Sequence, residues 1–187
     1  MAQTHSTLPR LHHSINADSI IDRVKGTVTF SRRTIAGIAA DRGATIEAAI
    51  VVAIVGLAGA IGHQHDVVRS IVAALLGWAG LAGTIWFIAD RFMGTPTSRE
   101  EFQPLLRTIG YALAPASLGV IHFIWGLGPM LGAIGTLWSF VATIFAVRYT
   151  TQFGWARSII LTIAGGIVIN VVGFIFSIFS GFEPVIW

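Results

Sequence analysis

The chain has no cysteine, and only 11% of its 187 residues are charged. The missing cysteines exclude disulfides and thiol-ligated metals. A soluble domain carries about 25% charged residues, because it needs polar groups to cover its surface. The low charge therefore excludes an ordinary soluble protein. The first 43 residues also lack an apolar stretch of signal-peptide length, so we expect no cleaved signal.

Long apolar stretches are what the sequence does contain. A transmembrane helix takes about 20 mainly apolar residues, and five stretches are long enough: 45–62, 67–89, 104–125, 129–148 and 157–180. They predict an all-α, polytopic membrane protein with a bundle of five transmembrane helices. The predicted organisation is a polar tail (1–17), an amphipathic interfacial segment (18–43), a five-helix transmembrane domain (44–182) and an outer tail (183–187).

The positive charges predict an orientation. If the segments between spans are assigned alternately to two sides, eleven of the twelve Lys and Arg residues fall on one side. Only Arg69 falls on the other. Because Lys and Arg concentrate in cytoplasmic loops, the N-terminus should be cytoplasmic and the C-terminus outside. The net charge of +3 is explained by cations that fix the orientation in the membrane and that attract anionic lipid headgroups. We therefore expect no nucleic-acid partner.

The segment 18–43 has the pattern of an amphipathic interfacial helix. Ile20, Ile21, Val24 and Val28 cluster on one face, and Gly26 should interrupt the helix. Such a helix lies in the membrane interface with its cations at the lipid phosphates. The predicted membrane-interface residues are Arg23, Lys25, Arg32 and Arg33.

A small polar set marks the centre of the bundle. Pro115 removes a backbone donor in the third span and leaves the Tyr111 carbonyl without its helical partner. An unsatisfied group is costly in hydrocarbon, so we expect Asn170 or a water to bind near it and Gly110 to allow close packing. The predicted bundle-packing residues are Gly110, Tyr111, Pro115 and Asn170. The alternative is that Pro115 only bends a lipid-facing helix.

Groups that could perform chemistry are few. Glu47 and Arg107, near the inner ends of their spans, should reach the interface or meet each other. Imidazoles and carboxylates are possible zinc or copper ligands, and the candidates on the outer side are His63, His65, Asp66 and His122. The first three also fit an ordinary wetted loop, so we expect no metal site, no cofactor and no enzymatic activity.

Several segments resemble a known family. They are Ile21-Asp22-Arg23-Val24 through Phe30, the run Ile38 to Thr45, Leu106-Arg-Thr-Ile-Gly-Tyr-Ala-Leu-Ala-Pro115, and Leu127-Gly-Pro-Met-Leu-Gly132 followed by Leu137-Trp-Ser139, Arg148 and Gly154 to Arg157. In this order and spacing, over about residues 18–180, they resemble bacterial proteins of the Yip family (Ypt/Rab-interacting proteins).

The resemblance implies a five-helix protein with a cytoplasmic N-terminus, in a bacterial cell (inner) membrane. Eukaryotic relatives bind small GTPases and curved membranes, but their acidic N-terminal motif is absent from this short basic tail, which argues against GTPase binding. Bacterial relatives resemble accessory membrane proteins. We therefore expect a non-enzymatic accessory or scaffold protein that binds lipids or other membrane proteins. The alternatives are a structural subunit of a larger complex (an exporter or energy-converting assembly) and a small transport or metal-binding protein.

Overall fold

The computed structural model describes residues 17–63, 65–92, 102–124 and 127–180. The predicted tails 1–17 and 183–187 lie outside these ranges, except for Ala17. The described residues form helices and turns with no strand, which confirms the all-α fold class. The helices are α1 (Ala17–Val28), α2 (Arg32–Ala40), α3 (Ala44–His63), α4 (Val67–Phe92), α5 (Phe102–Ala112), a 3₁₀ helix (Ala114–Phe123), α6 (Gly128–Thr151) and α7 (Trp155–Ser180).

Five segments in the described residues are long and apolar enough to cross a membrane, as the sequence predicted. They are Ala44–His63, Val67–Phe92, Phe102–His122, Gly128–Thr151 and Trp155–Ile175. One end of the bundle carries α1, α2 and Arg91, Arg107, Arg148 and Arg157; we call it the basic end. The opposite end, where His63 and His122 meet, we call the histidine end.

The amphipathic segment is a hairpin of two helices packed against the bundle. Gly26 does not interrupt α1, so that prediction is wrong; a Cβ at Gly26 would collide with the Thr34 side chain where the two helices cross. The break lies at 29–31, where Phe30 has φ 60° and the Ser31 side chain accepts a hydrogen bond from the Thr34 amide. On α2, Ile35 is 0% exposed. The hairpin is therefore part of the core.

The third span changes its helical type halfway. It begins as α5 and continues from Ala114 as the 3₁₀ helix, with Pro115 in the first turn. Proline suits such a turn because its missing amide proton would have no helical partner there. Ser139 of α6 donates its hydroxyl proton to the Leu113 carbonyl at 3.3 Å. The Ala116 amide donates to the same carbonyl at 3.0 Å, so Ser139 supplies its second hydrogen bond at the change of helical type.

The third span is also the centre of the packing. α5 contacts α3, α4 and α6, and the 3₁₀ helix packs mainly against α3 and α6. α7 lies at the edge, against α4 and α6. Large apolar side chains on the outer faces are exposed, among them Leu76, Leu137, Ile160 and Ile167. In a spanning bundle such faces are those that lipid covers.

Candidate functional site at the basic end

A partly buried polar network joins the hairpin to the bundle. Arg23 on α1 donates through Nη2 to Asp41 Oδ2 at 2.5 Å. Its Nη1 lies 3.1 Å from Oε2 of Glu47, in the first turn of α3. Glu47 is only 1% exposed, and the Tyr111 hydroxyl donates to the same Oε2 at 2.6 Å. The network thus connects α1, the turn before α3, α3 itself and α5.

Arg107 makes a second connection beside this network. Its Nε donates to Thr45 Oγ1 at 2.8 Å, and its Nη1 donates to the Ala39 carbonyl at 3.0 Å. Ala39 lies in the last turn of α2, where helical carbonyls lack partners and attract cations. Arg107 therefore caps α2 from α5 and fixes the end of the hairpin.

The surroundings of Arg23 favour its charged form. Burial of its guanidinium lowers the pKa of Arg23, but the hydrogen bond to Asp41 and the charge of Glu47 outweigh burial and raise that pKa above its ordinary value. A buried carboxylate needs such a partner, because an unpaired charge in an apolar interior is costly. The network consequently specifies one docked position of the hairpin.

Aromatic side chains hold the tip of the hairpin. Phe30 stacks on Trp138 and Phe145 of α6, with ring centroids 5.6 and 4.3 Å apart. Trp138 also donates its indole proton to the Val28 carbonyl at 3.1 Å. Val28 ends α1, so this bond satisfies a terminal carbonyl. The hairpin tip is thereby anchored close to the middle of α6.

The four predicted membrane-interface residues divide into two kinds. Lys25, Arg32 and Arg33 are exposed on the hairpin. The side chain of Arg23 is 23% exposed and is bound within the network. The docked hairpin thus presents three cations outward and uses the fourth to hold itself in place.

The four predicted bundle-packing residues lie in different surroundings. Gly110 and Tyr111 are buried, and a Cβ on Gly110 would come within 2.8 Å of Ala48 Cβ and 3.1 Å of Trp78 Nε1. Pro115 is half-buried. Asn170 is exposed and donates to the Gly166 carbonyl of its own helix at 2.8 Å. The group bonded to a carbonyl near Pro115 is Ser139.

The histidine end brings three of the four metal candidates together. The ring of His63 lies 4.2 Å from that of His122 and 5.9 Å from that of His65, centroid to centroid. Asp66 accepts a hydrogen bond from the Arg69 amide and caps α4. Within the part of the chain that the structure describes, no group of three His, Cys, Asp or Glu residues is placed to hold a metal ion.

Sequence reasoning missed the partners of Glu47. It expected this carboxylate to reach the interface or to meet Arg107, whereas the structure pairs it with Arg23 and Tyr111. The available signal was chemical: an ionisable residue inside a span needs a partner of opposite charge or a hydrogen-bond donor. Asp41, which also accepts from the Gly43 amide at 2.9 Å, was not singled out.

Comparison with known proteins gives one match. The Yip1 domain family model matches residues 25–178, a range that includes Lys25 and α2 of the hairpin and all five spans. No curated protein matches the chain at a significant level. No solved structure does so either.

Proposed function

Because this chain belongs to the Yip1 domain family, whose members are polytopic membrane proteins, we propose that it is a non-enzymatic accessory or scaffold protein. It would reside in a bacterial cell (inner) membrane and bind membrane lipids and other membrane proteins through its cytoplasmic side. The Yip1 family is not known as an enzyme family, and this supports a binding role.

The observation that carries this proposal is the docked hairpin. Arg23, Arg107 and Phe30 attach it to the bundle from three directions. Lys25, Arg32 and Arg33 remain exposed on it. A rigidly held set of cations suits a surface that recognises anionic headgroups or acidic partner segments, because little ordering entropy is lost on binding.

The experiment is cross-linking from the hairpin in native membranes. A photo-reactive residue at Arg33 should capture a defined partner or lipid, whereas the same residue at His65, exposed near the histidine end, should not. Mild-detergent purification and mass spectrometry identify what is captured. Equal, unspecific capture from both positions would contradict a docking role for the hairpin.

A subunit of a larger complex is the second candidate, and one observation favours it. Asn170 is an amide within a span, exposed at a pocket where α7 borders Trp78 of α4 and Ser139 of α6. Polar side chains at membrane depth usually face protein or water, so a partner helix beside α7 would suit it. A partner that copurifies at fixed stoichiometry and cross-links to position Val171 would support this role, and a partner that cross-links only to the hairpin would argue against it.

A further inference from the structure

A groove on the side of the bundle lies next to the hairpin. Its volume is about 570 Å³, and it runs between α1, α3, the 3₁₀ helix and α6. We call it the lateral groove. Its walls are almost entirely apolar and include Val24, Val51, Ile54, Pro115, Leu118 and Trp138.

The change of helical type in the third span creates the space. A 3₁₀ helix is narrower than an α-helix because it has three residues per turn. Three of the four residues that it contributes at the wall are small, namely Ala114, Pro115 and Ser117; the fourth is Leu118. The opposite wall is rigid because Trp138 is fixed by its bond to the Val28 carbonyl. The groove therefore results from the packing of the helices around it.

One cation lies at the lateral groove. Among the residues that the structure describes, Lys25 is the only charged one in its lining, and it belongs to the hairpin at the basic end. Lys25 is exposed. Leu118 and Ile134 line the groove further towards the histidine end. An occupant that matches this lining has a long apolar part and a negative charge at one end.

We propose that the lateral groove binds one acyl chain of an anionic phospholipid, with the headgroup phosphate at the Lys25 ammonium. The flanking side chains of Ile21, Ile54 and Leu118 are 48%, 53% and 37% exposed, so the groove opens sideways at a membrane-spanning surface, where lipid is the available occupant. This proposal deepens the lipid binding proposed above and rests on it. It assigns that binding a site, a lipid class and a single cation.

The experiment is native mass spectrometry of the full chain in mild detergent, titrated with phosphatidylglycerol and with phosphatidylcholine. The wild-type protein should retain one phosphatidylglycerol in preference to phosphatidylcholine. Lys25→Gln should reduce that preference about fivefold, which corresponds to the roughly 1 kcal/mol of one basic residue near an anionic lipid. Arg157→Gln is the control, because Arg157 is an exposed cation at the basic end that belongs to neither the hairpin nor the groove lining.

A second variant tests whether an acyl chain occupies the lateral groove. Ser117→Phe would place a large ring in the groove, so it should abolish retention of either lipid while the thermal unfolding midpoint stays near the wild-type value. If this variant unfolds, the smaller Ser117→Leu replaces it, with a partial loss of retention expected.

Two outcomes would overturn the proposal that the lateral groove binds an anionic phospholipid. The first is an equal loss of preference in Lys25→Gln and Arg157→Gln, which would indicate general surface attraction and leave the proposed lipid binding standing. The second is full retention by a folded variant with the enlarged residue 117. Absence of any lipid preference in the wild-type chain would contradict both the groove and the proposed binding of anionic lipid.

Discussion

The Tyr111 hydroxyl donates to Glu47 Oε2 at 2.6 Å, across the contact between α5 and α3. Both side chains are buried, at 0% and 1% exposure. The carboxylate that accepts this hydrogen bond also forms the ion pair with Arg23 of the hairpin. A single oxygen atom therefore links the centre of the bundle to the segment that we propose as its docking surface.

Removal of that hydroxyl should destabilise the folded protein. Tyr111→Phe keeps the ring but leaves Glu47 with one donor fewer, and a hydrogen bond to a charged group contributes about 1.5–3 kcal/mol. We expect a loss of that size in the free energy of unfolding, measured by denaturant titration in detergent. Tyr149→Phe is the control, since Tyr149 contacts Phe145 through its ring, and it should change stability by less than about 0.5 kcal/mol. Equal effects of the two variants would contradict the account.

The two partners of the buried ion pair should not be equivalent. Arg23→Gln leaves the Glu47 carboxylate buried without its cation, whereas Glu47→Gln leaves Arg23 bound to Asp41 and can still accept from Tyr111. Losing one partner of a fully buried pair costs about 3–5 kcal/mol, and Arg23 is partly exposed, so the expected loss for Arg23→Gln is smaller, about 2 kcal/mol.

The double variant separates this mechanism from a general packing defect. Glu47→Gln should be milder than Arg23→Gln. The double variant should be less destabilised than Arg23→Gln alone, because the buried residue 47 then carries no charge, whereas the loss of the Arg23 bond to Asp41 is common to both. A double-mutant cycle of unfolding free energies measures this coupling. Strict additivity would show that the pair contributes nothing to docking the hairpin.

Close approach of helices at Gly110 should be sensitive to one methyl group. A Cβ at Gly110 would lie 2.8 Å from Ala48 Cβ, whereas a Cβ at Gly59 on α3 meets nothing within 4 Å. Gly110→Ala should therefore destabilise the bundle by about 1–3 kcal/mol, the usual cost of overpacking. Gly59→Ala should be neutral or slightly stabilising because alanine is the better helix former. Thermal unfolding of both variants checks this, and tolerance of Gly110→Ala would show that α5 is less closely packed than the structure has it.

The five spans could be read from the sequence because each is a long apolar run bounded by polar or helix-terminating residues. The hairpin could be read only in part. The cluster of Ile20, Val24 and Val28 indicated an amphipathic helix, but the break at Phe30 depends on its stacking against Trp138, a residue more than 100 positions away. Local propensity favoured Gly26 for the break, and tertiary packing overrode it.

The candidate site was harder to predict for the same reason. The sequence shows Glu47 and Arg107 as charged residues near the ends of apolar spans, where a charge is costly. Their partners, however, depend on how the hairpin lies against α3 and α5. Ser139, which bonds near Pro115, is an ordinary residue in its sequence context. Asn170 was the more conspicuous polar residue, although in the structure its amide bonds within α7.

The central claim is that the basic end, with the docked hairpin, faces the cytoplasm. Because the chain has no cysteine, single cysteines give a clean test of this orientation. Arg33→Cys places one on the hairpin and His65→Cys places one near the histidine end, and both positions are exposed. A membrane-impermeant maleimide should label His65→Cys in spheroplasts with an intact inner membrane, and Arg33→Cys only after that membrane is permeabilised. Labelling of Arg33→Cys in intact spheroplasts, with His65→Cys protected, would contradict the account.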